Sequence, residues 1–204
     1  MTGRFITLEG GDGVGKSTNV SVVRDYLVSR GCSVILTREP GGSIAGEKIR
    51  HIFLNSSKLT AYGELLLLFA ARAQHLEEVI VPALNKGEWV VCDRYVDASY
   101  AYQGAARGMN EEFISVLEEH LPQASMPDLT LLLDAPVNVG ISIAKSRGAV
   151  DRFDDAEAGF CEQVRQGYLR RAAQHPARIK IIDATMPLED VAVAIRAELG
   201  RLFQ

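Results

Sequence analysis

Short runs of apolar and β-branched residues recur along the chain, separated by longer stretches in which apolar positions return every three or four residues. Five runs read as strands: Phe5–Leu8, Val34–Thr37, Trp89–Cys92, Leu129–Leu133 and Ile179–Ile182. Each is continuous rather than alternating, the pattern expected of a strand covered by helices on both faces. In the helix predicted over Gly63–Asn85, the residues Leu66, Phe69, Ala73, Leu76, Ile80 and Ala83 fall near one face. Behind Pro187, the residues Leu188, Val191, Ile195 and Leu199 mark a last helix. Strands alternating with helices predict an α/β fold with a five-stranded, mostly parallel sheet flanked by helices. No repeat, low-complexity tract or linker breaks the order, so residues 1–204 are expected to form a single domain.

Composition narrows the class. A hydrophobic fraction of 47% and a charged fraction of 24% are ordinary for a globular protein and exclude disordered and fibrous classes. The net charge of −4 argues against a general grip on nucleic acid, though it leaves room for a local basic pocket. Met1-Thr2-Gly3-Arg4 runs straight into a strand, and no apolar run approaches the ~20 residues of a membrane span. A secretory signal and a membrane anchor are therefore not expected, and a cytoplasmic location is. Cys32, Cys92 and Cys161 form no CxxC and read as reduced, mostly buried thiols. His51, His75, His120 and His175 lack metal-ligand spacing.

The most specific chemistry lies at Gly10-Gly11-Asp12-Gly13-Val14-Gly15-Lys16-Ser17, a complete GxxxxGK[ST] string between a predicted strand and a predicted helix. Gly10, Gly13 and Gly15 allow positive φ and bring backbone N–H groups close to phosphate oxygens. The helix that follows aims its positive end at the same place. Lys16 is suited to the β- and γ-phosphates, and the Ser17 hydroxyl to Mg²⁺. The string predicts binding of a nucleoside triphosphate together with Mg²⁺.

A phosphate-binding loop does not by itself choose between a kinase, a switch GTPase and a motor. The base-reading NKxD of a GTPase is missing: Asn85-Lys86-Gly87-Glu88 ends in Glu and precedes its strand. A translocase would carry more positive charge for its track. Arg38-Glu39-Pro40-Gly41-Gly42 follows the second strand and Asp93-Arg94-Tyr95 the third, at the strand ends where α/β sheets bind ligands. Arg38 and Arg94 can converge on a second phosphate, or each can pair with an acid such as Glu39, Asp93 or Asp97.

The ordered set TLEGGDGVGKS, TREPGG, FAARAQH, DRY and AYQG resembles the thymidylate kinase family from the first strand to the last helix. The resemblance implies a P-loop nucleoside monophosphate kinase fold, ATP as donor, dTMP as acceptor and a homodimer. It places Gly10 to Thr18 around the donor phosphates and has Asp12 hold the acceptor's 3′-hydroxyl. Arg38 and Arg94 would hold the acceptor phosphate, with Pro40 beside them, and Asp93 would sit near the metal or bridge to an arginine. Phe69 would stack on thymine and Arg72, three residues on, would donate to a ring carbonyl. Gln103 would meet the base edge with Ser99 nearby, and Tyr102 would fill the space of a ribose 2′-hydroxyl.

The P-loop stretch Asp12-Gly13-Val14-Gly15 lacks the arginine that some members carry there. Charge on the transferred group still has to be met by a cation. The segment 146–154 offers Arg147 and Arg152 around Gly148 and resembles a lid supplying catalytic arginines; Ala149 stands where related lids have a further basic residue. The expected catalytic set is thus Lys16, Arg94, Arg147 and Arg152. Two alternatives stay open: a kinase for another nucleotide or deoxynucleoside, and an ATPase switch that drives partner association.

Overall fold

The computed structural model describes residues 3–56, 58–122, 126–140 and 158–203. The expected lid, with Arg147 and Arg152, lies outside the described residues. The strands are β1 (Phe5–Glu9), β2 (Val34–Arg38), β3 (Trp89–Asp93), β4 (Leu129–Asp134) and β5 (Ile179–Asp183). All pairings are parallel, in the order β2-β3-β1-β4-β5. Each strand runs one residue beyond its apolar run, and the added residue is charged: Glu9, Arg38, Asp93, Asp134 or Asp183. The apolar signal stops at the carboxyl ends of the strands, where a charged residue closes each one.

Helices cover both faces: α1 (Lys16–Ser29), α2 (Ile44–Asn55), α3 (Ala61–His75), α4 (Val81–Asn85), α5 (Val96–Ser99), α6 (Glu111–Glu119), α7 (Ala158–Gln174) and α8 (Leu188–Gly200). Ile6, Leu8, Leu131 and Leu133 pack against Val23 and Leu27 of α1 and Val191, Ile195 and Leu199 of α8. Phe5, Val90 and Cys92 belong to the core with Leu65, Phe69, Leu76 and Ile80. The continuous pattern is explained for β1, β3 and β4, which are buried along nearly their whole length. It does not hold at the edges, since β2 and β5 expose Leu36 and Ile181. Among the cysteines only Cys92 is fully buried; Cys32 and Cys161 are partly exposed.

The helix expected over Gly63–Asn85 is a composite. It starts at Ala61, where the Thr60 hydroxyl accepts from the Gly63 N–H at 3.1 Å, and a π-helical turn at Leu76–Ile80 divides α3 from α4. The buried stripe is also rotated: Leu66 and Ala73 face solvent, whereas Leu65, Leu68, Phe69, Arg72 and His75 face inward. A pattern counted on apolar residues misses a stripe that contains buried Arg72 and His75. A second π-helical segment, Tyr100–Ala106, carries Tyr102 and Gln103.

Candidate active site

Between the end of β1 and the start of α1 the chain turns through Gly10, Gly13 and Gly15, whose φ angles are 138°, 79° and 90°. A Cβ on Gly13 would stand 2.0 Å from the Gly140 carbonyl oxygen, so only glycine lets the loop lie this close to its neighbour. Gly11 and Val14 fill the intervening turns, with Val14 buried as the loop's apolar anchor. Lys16 is buried and its Nζ donates to the carbonyls of Gly10 and Gly11 at 3.0 and 2.6 Å. Burial, helped by the nearby Arg94 guanidinium, pushes the Lys16 amine down to about 8. Ser17 and Thr18 occupy the first turn of α1, with Ser17 exposed at its mouth.

Opposite this loop stands Arg94, a non-glycine residue at φ 67°. Its backbone is fixed from several sides: its N–H donates to the Leu8 carbonyl at 3.0 Å, and the Cys92 Sγ donates to its carbonyl at 3.0 Å. The next N–H, of Tyr95, donates to the Glu9 carboxylate at 2.7 Å. Held this way, the Arg94 guanidinium donates to Asp12 Oδ1 and to the Tyr102 hydroxyl, which in turn donates to Asp12 Oδ2 at 3.1 Å. Desolvation would raise the Asp12 carboxyl, but the charges of Arg94 and Lys16 outweigh it and hold it below its ordinary range.

A cleft of about 610 Å³ opens beside this triangle, lined by Asp12, Pro40, Arg50, Arg72, Arg94, Ser99, Tyr102 and Gln103 among others. Arg72 is buried in its wall. Its Nε donates to Glu39 at 2.7 Å, Nη1 to Ser99 Oγ at 3.2 Å and Nη2 to the Tyr95 carbonyl at 3.1 Å. The guanidinium lies 4.7 Å from the Phe69 ring centroid and 5.1 Å from that of Tyr95. Phe69 itself is core, packed behind Arg72 and absent from the residues lining the cleft. Gln103 is buried, and its Oε1 has no hydrogen-bond partner among the described residues. A buried, unpaired amide oxygen facing a cleft is a site awaiting a donor.

Arg38 and Arg94 are not in contact with each other. Arg38 extends outward and pairs with Glu47 at 3.1 Å, not with Glu39, Asp93 or Asp97. Asp93 lies at the end of β3, in register with Arg38, and its Oδ1 is buried without a partner among the described residues. No cluster of three or more His, Cys, Asp or Glu able to hold a metal occurs among the described residues. The oxygens of Ser17 and Asp93 nonetheless suit Mg²⁺, a hard cation that keeps much of its shell in water and phosphate oxygens.

Sequence reasoning missed the buried polar frame behind the site. Glu9 accepts from the Tyr168 hydroxyl at 2.8 Å, and Arg165 of α7 makes a two-pronged bridge to Asp134 at 2.7 and 2.9 Å. Asp97 is buried between Arg171 and Arg178, at 2.9 and 2.7 Å. Arg165, Tyr168 and Arg171 recur every third residue along α7, a spacing that was readable, but the acids they meet are distant in sequence. Arg50, whose Nη1 donates to the Pro40 carbonyl at 2.8 Å, belongs to no motif.

A family model described as Thymidylate kinase matches residues 8–195. A thymidylate kinase of Methylococcus capsulatus is 52% identical over 201 residues, covering 98% of this chain and 97% of that one. One from Pseudomonas savastanoi pv. phaseolicola is 50% identical over 206 residues, covering 100% of this chain and 98% of its own. Among solved structures, the crystal structure of thymidylate kinase from Ehrlichia chaffeensis superposes with a TM-score of 0.80 at 28% identity, covering 100% of both chains.

Proposed function

Since the chain belongs to the thymidylate kinase family, we infer that it is a dTMP kinase, moving the γ-phosphoryl group of ATP onto dTMP to give dTDP and ADP on the route to dTTP. The observation that carries this reading is the Asp12–Arg94–Tyr102 triangle, in which a loop built for one set of phosphates shares its carboxylate with the wall of a second cleft. A switch ATPase has no use for that second cleft.

The residues take the following parts. Backbone N–H groups from Gly10 to Thr18 and the amine of Lys16 hold the donor phosphates. Mg²⁺, held by Ser17 and Asp93, would supply charge neutralisation at the donor phosphates. Arg94, with Arg38 and Pro40 at the rim, orients the acceptor phosphate so that one of its oxygens lies in line with the γ-phosphorus. That oxygen forms the new P–O bond as the bond to the β-phosphate oxygen breaks, and because it is already anionic no general base is needed. Asp12 accepts from the sugar 3′-hydroxyl, and Tyr102 occupies the room that a 2′-hydroxyl would need. Phe69 backs the base plane, Arg72 donates to a ring carbonyl, and Gln103 with Ser99 meets the base edge. Arg147 and Arg152 complete the set on sequence grounds alone. The whole chain is read as one domain.

A homodimer in the cytoplasm belongs to the same reading. Tyr62 and Leu66 on α3, 59% and 50% exposed, support an apolar contact between copies. Among the described residues no helix is long and apolar enough to cross a membrane. Light scattering after size exclusion tests the dimer. The function is tested by ADP release with Mg·ATP against dTMP, dUMP, dCMP, dGMP, UMP and thymidine, with products identified. Turnover of dTMP far above UMP and thymidine is expected; turnover of another nucleotide would discard the base assignments, and no acceptor-dependent turnover would discard the kinase.

A further inference from the structure

Arg72 is charged and 2% exposed, so its position must be set by partners rather than by solvent. Three of its five N–H groups are engaged by Glu39, Ser99 and the Tyr95 carbonyl. Ser99 belongs to α5, and the Tyr95 carbonyl stands just before that helix, where the Tyr95 N–H is held by Glu9. Glu39 sits in the turn after β2, and a carboxylate gripped at one oxygen only can swing about its terminal torsion. The second grip comes from His75, which has no exposed surface: its Nδ1 lies 3.1 Å from Glu39 Oε1, while Arg72 Nε lies 2.7 Å from Oε2. Because a carboxylate only accepts, the hydrogen between them belongs to His75 Nδ1.

The ring is itself immobilised. Nε2 lies 2.7 Å from Thr37 Oγ1, near the end of β2. On the same side Gly42, at φ 78°, passes so close that a Cβ there would stand 2.3 Å from Nε2. Thr37, the Gly42 turn and the last residue of α3 therefore meet at one imidazole, which hands its orientation through Glu39 to Arg72.

We propose that His75 is a positioning residue for base selection, holding Glu39 so that the Arg72 guanidinium presents its remaining N–H groups to the cleft in one orientation. The proposal rests on the reading in which Arg72 meets the base. A guanidinium only donates, so a fixed one favours a pyrimidine whose 4-position is a carbonyl over one whose 4-position is an amino group, where two donors would face each other. A guanidinium free to turn away loses that rejection. His75 thus governs discrimination between dTMP and dCMP without touching either.

The test pairs His75→Asn, whose amide nitrogen stands near the place of Nδ1, with His75→Gln, whose amide reaches toward the place of Nε2. The readout is kcat/KM for dTMP and dCMP, with KM for ATP measured alongside. His75→Gln is expected to lower the dTMP:dCMP ratio by about tenfold or more, through KM of the acceptors and with KM for ATP unchanged. His75→Asn should hold the ratio within about twofold of the parent. Equal ratios in both variants and the parent would overturn the proposal, as would parallel losses toward ATP and dTMP. Should His75→Gln not fold, Thr37→Val, which releases the far side of the ring, must shift the ratio in the same direction or the proposal falls. Arg72→Ala separates the two levels. If it keeps the dTMP preference, the base assignment of Arg72 is wrong; if it loses the preference while the His75 and Thr37 variants keep it, only the positioning role is wrong.

Discussion

The Tyr168 hydroxyl on α7 donates to one oxygen of Glu9 at 2.8 Å, while the other oxygen accepts from the Tyr95 N–H at 2.7 Å. A single buried carboxylate at the end of β1 thereby ties a helix from late in the chain to the backbone step that follows Arg94. Removing the hydroxyl alone, in Tyr168→Phe, leaves a buried oxygen unpaired and should cost ~1–3 kcal/mol of stability, read from denaturant midpoints.

Glu9 also sets a pH dependence. Burial, reinforced by Asp97, pushes its carboxyl from the ordinary 4.5 up to about 7. The folded state therefore holds this proton more tightly than the unfolded chain. The stability that this group contributes is complete below 4.5 and is lost as pH rises through about 7. Glu9→Gln cannot ionise, so its urea midpoint should decline less steeply than the parent's across that window. Parallel declines would show that Glu9 is not the group responsible.

Lys16 gives a second titration of opposite use. Only the protonated amine attracts donor phosphates, and in the free protein it loses its proton at about 8. The expected kcat/KM for ATP is flat below that pH and falls above it, since this parameter reports the free enzyme. Lys16→Arg, if it retains measurable turnover, should move the descending limb out of the accessible range. A limb that stays at the same pH belongs to some other group.

Tyr102 separates shape from hydrogen bonding. Tyr102→Phe keeps the ring but loses the contacts to Asp12 and Arg94, so KM for dTMP should rise by about tenfold with UMP still rejected. Tyr102→Ala opens the space and should raise kcat/KM for UMP relative to dTMP. If Tyr102→Phe admits UMP as readily as Tyr102→Ala, sterics are not the filter.

The α7 helix lies against the segment that carries Tyr102 and Gln103 with no room to spare. A Cβ on Gly167 would stand 2.7 Å from the Ala105 Cβ and 2.8 Å from the Ala101 Cα. Gly167→Ala should destabilise by ~1–3 kcal/mol, because neither neighbour is the end of a flexible chain. A thermal midpoint equal to the parent's would mean that the two elements can slide apart at no cost.

For Arg147 and Arg152 the expectation comes from sequence and mechanism. Each single change to Ala should lower kcat by ~10³–10⁵, the range of arginines that meet charge on a transferring phosphoryl group. Near-normal single-turnover rates in both variants would remove them from the catalytic set.

Much of the frame was legible because its signals are local. The GxxxxGK[ST] string fixes a loop between a strand and a helix within eight consecutive residues, and the central strands announce themselves by unbroken apolar runs. The wall of the second cleft was less legible. Glu39, Arg72 and His75 each look solvent-facing by type, and a buried face of α3 counted from apolar residues leaves out Arg72 and His75, although the resemblance points to Arg72 as a base contact. Their burial is made tolerable by one another and by Thr37, Ser99 and the Tyr95 carbonyl, contacts that span up to 38 positions in sequence. The Glu9–Tyr168 contact spans 159. The rotation of α3 and the exposed edge strands follow from sheet order and pairing, which no single run of residues encodes.

The order β2-β3-β1-β4-β5 grades the two halves of the cleft by resistance to opening. β1 is the middle strand, so fraying that enters from either edge reaches it last. The strand that leads to Glu39 is β2, at one margin with a single neighbour. Under mild heat or denaturant this protein would become indiscriminate before it becomes inert: acceptor choice is lost while the triphosphate cradle, rooted at the centre, still grips its nucleotide.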